Sequence, residues 1–402
     1  MRISNSAMVM IMTTIALLFT VIANAQTITG KVIDSTTLKP LADASVYVAN
    51  TTIGTKTDQE GNYKFTNISA GRHQLLISCL GYQTKQVDVP AAVNEQIINI
   101  KLSPRAINLK EVTINADSWK RNLALFNREF IGLVKPQDCR IINPEILNLS
   151  FDRPTNRLSA TTDDFLDIEN DVLGYKLRFL VKNFWADYNT GKLHYSGTVI
   201  FQELAGKTSD QKRWLKNRAN AYSGSFRHFL VSLSHNQLTH DKFIVKRLTK
   251  TVNPQWKIDS AATRDNRQAA AHQFNVSGRQ LIMSATFKTP KTIETLDKTP
   301  LTEGEIVQPG PAPNTYQLQF AGYLYAIYKN KAVDADIDDL YRQNEARNYQ
   351  IAAISMKAPN HPILFTETGL LLTPESLFFE GAWNSRIVDL LPNDYIPPFA
   401  KK

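Results

Sequence analysis

Gly54-Thr-Lys-Thr-Asp-Gln-Glu-Gly61-Asn-Tyr-Lys-Phe65 is the stretch on which the fold turns. A short Thr/Lys run meets a polar turn, and Tyr63 and Phe65 then alternate with polar neighbours, as in a strand with one buried face. Gly61 suits a turn position that needs positive φ. Upstream, residues 28–33 and 44–49 read as strands, and downstream residues 75–80, 86–89 and 97–102 do the same. Asp, Pro and Gly separate them. Short strands at this spacing predict an antiparallel β-sandwich over residues 26–105.

Four motifs in order carry a resemblance: Ile28-Thr-Gly-Lys-Val-Ile-Asp34, Pro40-Leu-Ala-Asp-Ala-Ser-Val46, the stretch from Gly54 to Phe65, and Ser78-Cys-Leu-Gly-Tyr82. Together they resemble the carboxypeptidase regulatory-like domain, which implies a transthyretin-like or Ig-like all-β sandwich. In that family the sandwich is a non-catalytic accessory module beside zinc carboxypeptidases, so it implies no activity here. Ile107-Asn-Leu-Lys-Glu-Val-Thr-Ile114, inside a linker at 106–117, also resembles the segment that follows this domain in TonB-dependent outer-membrane transporters. No plug-and-barrel length follows it.

The chain has 402 residues with 43% hydrophobic and 21% charged content, which suits two or three domains with buried cores. Arg2 precedes an apolar run through Ile22, and Ala23-Asn24-Ala25 follows as an A-x-A cleavage site. Residues 1–25 therefore read as a secretory signal peptide, with Gln26 at the mature N-terminus and the protein exported to the periplasm or the outer-membrane surface. No later stretch is apolar and long enough to span a bilayer as a helix. The net charge of +9 is spread without a dense basic run, and an exported chain meets little nucleic acid. Two cysteines, Cys79 and Cys139, permit one disulfide but form no framework, and whether they pair stays open.

Beyond the linker, residues 118–402 read as one α+β domain with a largely antiparallel sheet. Residues 118–133 and 209–233 have helical apolar spacing. Strands are expected from residue 166 to 204, with hairpin residues Asn189-Thr-Gly191 between them, and at 242–248, 280–287, 316–328, 350–356 and 363–372. The proline-interrupted stretch 288–314 and residues 260–272 read as loops. Ile168-Glu-Asn170 through Leu173-Gly-Tyr175, the run from Trp214 to Leu230, and Ile387-Val-Asp-Leu-Leu-Pro392-Asn-Asp-Tyr395 resemble exported carboxypeptidase-like regulatory domain-containing proteins of Gram-negative bacteria. That resemblance implies no activity for this region.

The sequence shows no catalytic residues. A zinc carboxypeptidase needs His and Glu three positions apart, and the residues three after the seven histidines are Leu76, Gly197, Val231, Leu238, Phe243, Asn275 and Leu364. His228, His235 and His240 do not share a helical face, so no metal site is expected. Gly206-Lys207-Thr208 lacks the first glycine of a phosphate loop, Phe201 standing there, and there is no nucleophile elbow. No cofactor is expected. The binding candidates are Arg218, Tyr222, Ser225 and His228. Arg218 lies in phase with Trp214, Ala221 and Phe229, so its guanidinium needs buried acceptors, as a fold-specifying ion pair or as an anion site. Ser225 and His228 stand close enough on one helix to touch.

These features point to a non-enzymatic envelope protein that binds a protein or glycan. A hydrolase with an unrecognised site in the C-terminal region, and an accessory component of an outer-membrane transport system, are the alternatives.

Overall fold

A computed structural model describes residues 25–69, 71–90, 95–105, 116–256, 258, 292–329, 349–356, 362–373 and 376–398. Three hydrophobic cores organise them, one in the N-terminal sandwich and two in the C-terminal region. The expected signal peptide before Ala25, the segment 107–114, the loop 260–272 and the strand 280–287 lie outside the described residues.

The sandwich is all-β, as its alternation demands. Strand β1 (Ala25–Asp34) pairs antiparallel with β4 (Asn62–Ser69) and parallel with β7 (Gln96–Ile97) and β8 (Ile100–Leu102). The facing sheet orders β3 (Gly54–Lys56), β2 (Ser45–Val48), β5 (His73–Ser78) and β6 (Lys85–Val89). Ile28, Val32, Val46, Tyr63, Phe65, Leu75 and Ile77 fill the space between the sheets. Gly61 does take a left-handed φ of 78°, and a Cβ there would fall 2.6 Å from the Val32 oxygen, so glycine is required twice over.

The C-terminal region has mostly antiparallel sheets with few helices. Helix α1 (Ala116–Phe126) widens into a π-turn at Asn127–Ile131, and Phe126 and Phe130 pack on a six-stranded sheet. That sheet runs β10 (Leu147–Asp152), β11 (Arg157–Thr162), β13 (Tyr175–Asp187), β12 (Leu166–Asn170) and β9 (Cys139–Ile141), with β14 (Lys192–Glu203) also on β13. Strands β9 to β11 were not foreseen. They are polar on alternate residues and short, so their apolar signal is thin.

The helix expected over 209–233 is two helices, α2 (Thr208–Tyr222) and α3 (Phe226–Ser234), because Gly224 adopts a φ of 75° between them. The second core joins α3 to the sheet of β15 (Phe243–Val252), β16 (Thr292–Leu296), β19 (Tyr323–Tyr328), β20 (Gln350–Met356) and β22 (Leu377–Gly381). The strand expected over 316–328 splits at Gly322 into β18 (Thr315–Leu318) and β19, which enter different sheets. Within the stretch expected as loop, β16 pairs with β15, and a short helical turn α4 (Glu303–Ile306) leads into β17 (Val307–Pro309). Strand β18 pairs with β17 and with β21 (Ile363–Thr366). Prolines at strand edges are tolerated there, which composition alone does not reveal.

The sandwich is docked on the six-stranded sheet. Leu76 points out of its own core and is buried against Phe165 and Ile200. The Asn50 N–H donates to the Val199 oxygen at 2.7 Å, the Phe201 N–H to the Thr51 oxygen at 3.1 Å, and Arg105 pairs with Asp164 at 2.6 Å.

Candidate functional site

The three C-terminal motifs converge. The turn 171–174 between β12 and β13 presents four successive carbonyls, and each accepts from one face of α2. Trp214 Nε1 donates to the Asp171 oxygen at 2.7 Å and Asn217 Nδ2 to the Val172 oxygen at 2.8 Å. Arg218 donates Nε to Leu173 at 2.7 Å and Nη2 to Gly174 at 3.2 Å. Positions 214, 217 and 218 share one helical stripe, which is why one helix reads a whole turn. Gly174 takes a φ of 71°, and a Cβ on it would stand 2.2 Å from the Trp214 ring.

Arg218 is held by groups of the fold itself. Besides the two carbonyls, its Nη1 meets Glu203 Oε1 at 2.6 Å and its guanidinium lies over the Tyr175 ring at 3.9 Å. Tyr222, at the C-terminal end of α2, is buried beside His228 and Tyr395, and burial pushes its hydroxyl pKa up to about 12.

Ser225 and His228 meet, but through the backbone. The Ser225 hydroxyl accepts from the His228 N–H at 3.1 Å, an N-cap for α3. His228 Nδ1 accepts from the Gly224 N–H at 3.1 Å, so the ring proton sits on Nε2, 3.8 Å from Asp241 Oδ2. Asp241 also accepts from the fully buried Ser232 hydroxyl at 2.6 Å. The serine hydroxyls of this cluster engage Asp241 and the backbone of His228. Its ring packs on Phe243 and Tyr328, in the second core.

Two of the four candidates, Tyr222 and Ser225, line a cleft of about 690 Å³. One wall is the β13–β14 face, the other is β20 with β22, and the segment from Ala382 to Asn393 crosses it. Arg218 and His228 lie outside it, facing the turn and the core. The cleft adds residues that sequence reading missed: Arg227, Gln350, Phe379, Trp383 and Asn384.

Arg227 sits inside the Trp214–Leu230 motif, two positions past Ser225, and donates Nε to the Thr368 oxygen at 3.2 Å, Nη1 to Pro392 at 3.0 Å and Nη2 to Asn393 at 2.7 Å. Among the described residues no carboxylate lies within ion-pair distance of it, and burial lowers its pKa from the usual guanidinium value. Gln350 Oε1 is buried and without a hydrogen-bond partner among the described residues. It lies across from Gly224, where a Cβ would come within 2.4 Å.

Cys79 and Cys139 are both free, in the sandwich and the first C-terminal core respectively. Burial, with Asp389 and Asp138 nearby, pushes the Cys139 thiol up to about 12, which leaves it unreactive. Among the described residues no group of three or more His, Cys, Asp or Glu side chains could hold a metal ion, and no helix is long and apolar enough to cross a membrane.

Local likenesses to solved structures are weak. Catechol 1,2-dioxygenase of Acinetobacter sp. ADP1 is 11% identical with a TM-score of 0.20, covering 24% of this chain and 58% of that one. A type II cohesin–X-dockerin complex of Acetivibrio cellulolyticus is 14% identical at TM-score 0.19, with coverages of 24% and 72%. The major pilin subunit of Bacillus cereus is 16% identical at TM-score 0.18, with coverages of 20% and 30%. The chain thus spans less than two thirds of the dioxygenase and of the pilin. No curated protein matches it. Residues 28–114 match the CarboxypepD_reg-like domain. With the two-sheet packing and the Gly61 turn already in place, that match makes the N-terminal sandwich a carboxypeptidase regulatory-like domain.

Proposed function

We propose that this protein is a non-catalytic binding protein of the cell envelope, exported by cleavage after Ala25, and that the cleft receives a saccharide. The makeup of the cleft carries the reading. Its lining combines the aromatic residues Phe226, Phe379 and Trp383 with the amides of Gln350 and Asn384 and the hydroxyls of Ser225 and Ser385. Apolar rings match the C–H face of a sugar, and amides take its hydroxyls, while a cleft of this volume falls in the range of ligand sites. Gln350 brings its amide to this lining, and its Oε1, packed toward Gly224, has no hydrogen-bond partner among the described residues.

Titration of the mature protein with envelope-derived oligosaccharides, against short peptides of similar size, tests this by calorimetry. Gln350→Met, nearly isosteric, is expected to weaken saccharide binding about tenfold without lowering the melting temperature. Absence of saccharide binding overturns the reading, as does binding that Gln350→Met leaves unchanged. Binding of peptides alone moves the assignment to a protein partner.

A further inference from the structure

Gln26 is an anomaly in the sandwich. Its residue is fully buried in β1, its ladder partner Ile68 is buried too, and among the described residues neither Oε1 nor Nε2 of its side chain has a hydrogen-bond partner. A buried primary amide with both ends unpaired is the polar arrangement that folded proteins avoid most consistently. Processing after Ala23-Asn24-Ala25 makes it worse, because Gln26 then also carries the α-ammonium of the mature chain. A charge and an unpaired amide would then share the first residue of β1.

Glutamine at a chain terminus has a reaction that removes both groups. The α-amine, as free base, attacks its own side-chain carbonyl carbon Cδ. The N–Cδ bond forms, the Cδ–Nε2 bond breaks, and Nε2 leaves as ammonia with the proton that the amine gives up. Nothing is oxidised or reduced, and no co-reactant enters. The product is a neutral five-membered lactam that keeps one N–H and one C=O.

We infer that Gln26 of the mature chain is converted to pyroglutamate, closing the N-terminus of the central strand β1. This rests on the reading that export cleaves after Ala25. The ring constrains the first residue of a strand much as proline does, a position where such a residue is tolerated. Ring closure precedes docking of β1, since the folded strand buries the residue. The closed terminus offers no α-amine to envelope aminopeptidases.

The test is the intact mass and stepwise N-terminal degradation of full-length protein exported by a Gram-negative host. The expected mass is that of the chain from Gln26 less one ammonia. Degradation should stay silent until the denatured protein is treated with pyroglutamyl aminopeptidase, after which Thr27 is read first. Gln26→Ala should give a readable N-terminus at its full sequence mass. An open Gln26 amine at full mass in most molecules overturns the inference while leaving export processing intact. A mature chain that starts at any other residue overturns both.

Discussion

The side chain of Asn170 holds the main chain of Ile387 and Val388, residues 217 and 218 positions away. Its Nδ2 donates to the Ile387 oxygen at 3.3 Å and the Val388 oxygen at 3.0 Å, while its Oδ1 accepts from the Leu173 N–H at 3.1 Å. The pair fixes where the C-terminal segment crosses. Trp383 enters the second core, Ile387 and Val388 the first, and Asp394 accepts from Thr52 of the sandwich at 3.0 Å. One short segment ties two cores and the sandwich together.

Asn170→Ala orphans the Val388 carbonyl and the Leu173 N–H and leaves the Ile387 carbonyl only its Leu390 donor, and it is expected to destabilise the protein by roughly 1–3 kcal/mol in chemical denaturation. Asn170→Asp removes the donor and adds a charge facing carbonyl oxygens, so its effect should be larger. Proteolysis of the C-terminal segment should accelerate in step. An aspartate variant as stable as the parent would mean that Asn170 does not hold this segment.

Arg218→Lys is not conservative here. A single ammonium cannot reach two carbonyls and Glu203 in the geometry the planar guanidinium uses. A loss of about 2–3 kcal/mol is expected. Glu203→Gln should change stability by less than about 1 kcal/mol, because the carboxylate is 63% exposed. The reverse order of effects would put the energy in the ion pair instead of the carbonyl contacts.

Leu76 separates docking from folding. The sandwich core does not include it, yet the residue is fully buried against Phe165 and Ile200. Residues 26–105 alone should melt cooperatively, since their own core is complete, and Leu76→Ser should leave that melt within about 0.5 kcal/mol. In the full chain the same substitution should cost about 2–4 kcal/mol. A non-cooperative melt of the isolated segment would show that the sandwich borrows core from the sheet it docks on.

Asp34 supplies a pH dependence. The Thr37 N–H, the Tyr82 hydroxyl at 2.7 Å and the Thr36 N–H hold its carboxyl below the usual carboxylate range. A depressed folded value stabilises the protein above the unfolded value of roughly 4, and the stabilisation disappears as pH falls through the folded value. The stability gap between the parent and Asp34→Ala should therefore be constant near neutrality and narrow below about pH 4. A gap that does not narrow in acid would assign the effect to packing, not charge.

Local rules made the sandwich readable. Its strands are short and largely alternate, its turns carry Gly and Asp, and Tyr63 and Phe65 lie on the buried face because a strand has period two. The same logic put Arg218 in an apolar stripe and correctly demanded acceptors for it. It could not name them, because the carbonyls of 171–174 come from another element and carry no side-chain identity. It ran α2 into α3, since nothing local distinguishes Gly224 in a helix from Gly224 facing Tyr328 and Gln350 across a cleft. It grouped Ser225 with His228 by spacing, whereas burial turned the imidazole into the second core. Arg227, Gln350 and Trp383 converge only because the chain returns from residue 350 onward. Sequence alone determined which faces are apolar and where the backbone turns, because those are properties of neighbouring residues. Tertiary structure decided which polar atoms find partners, because hydrogen bonds are satisfied in space and not along the chain.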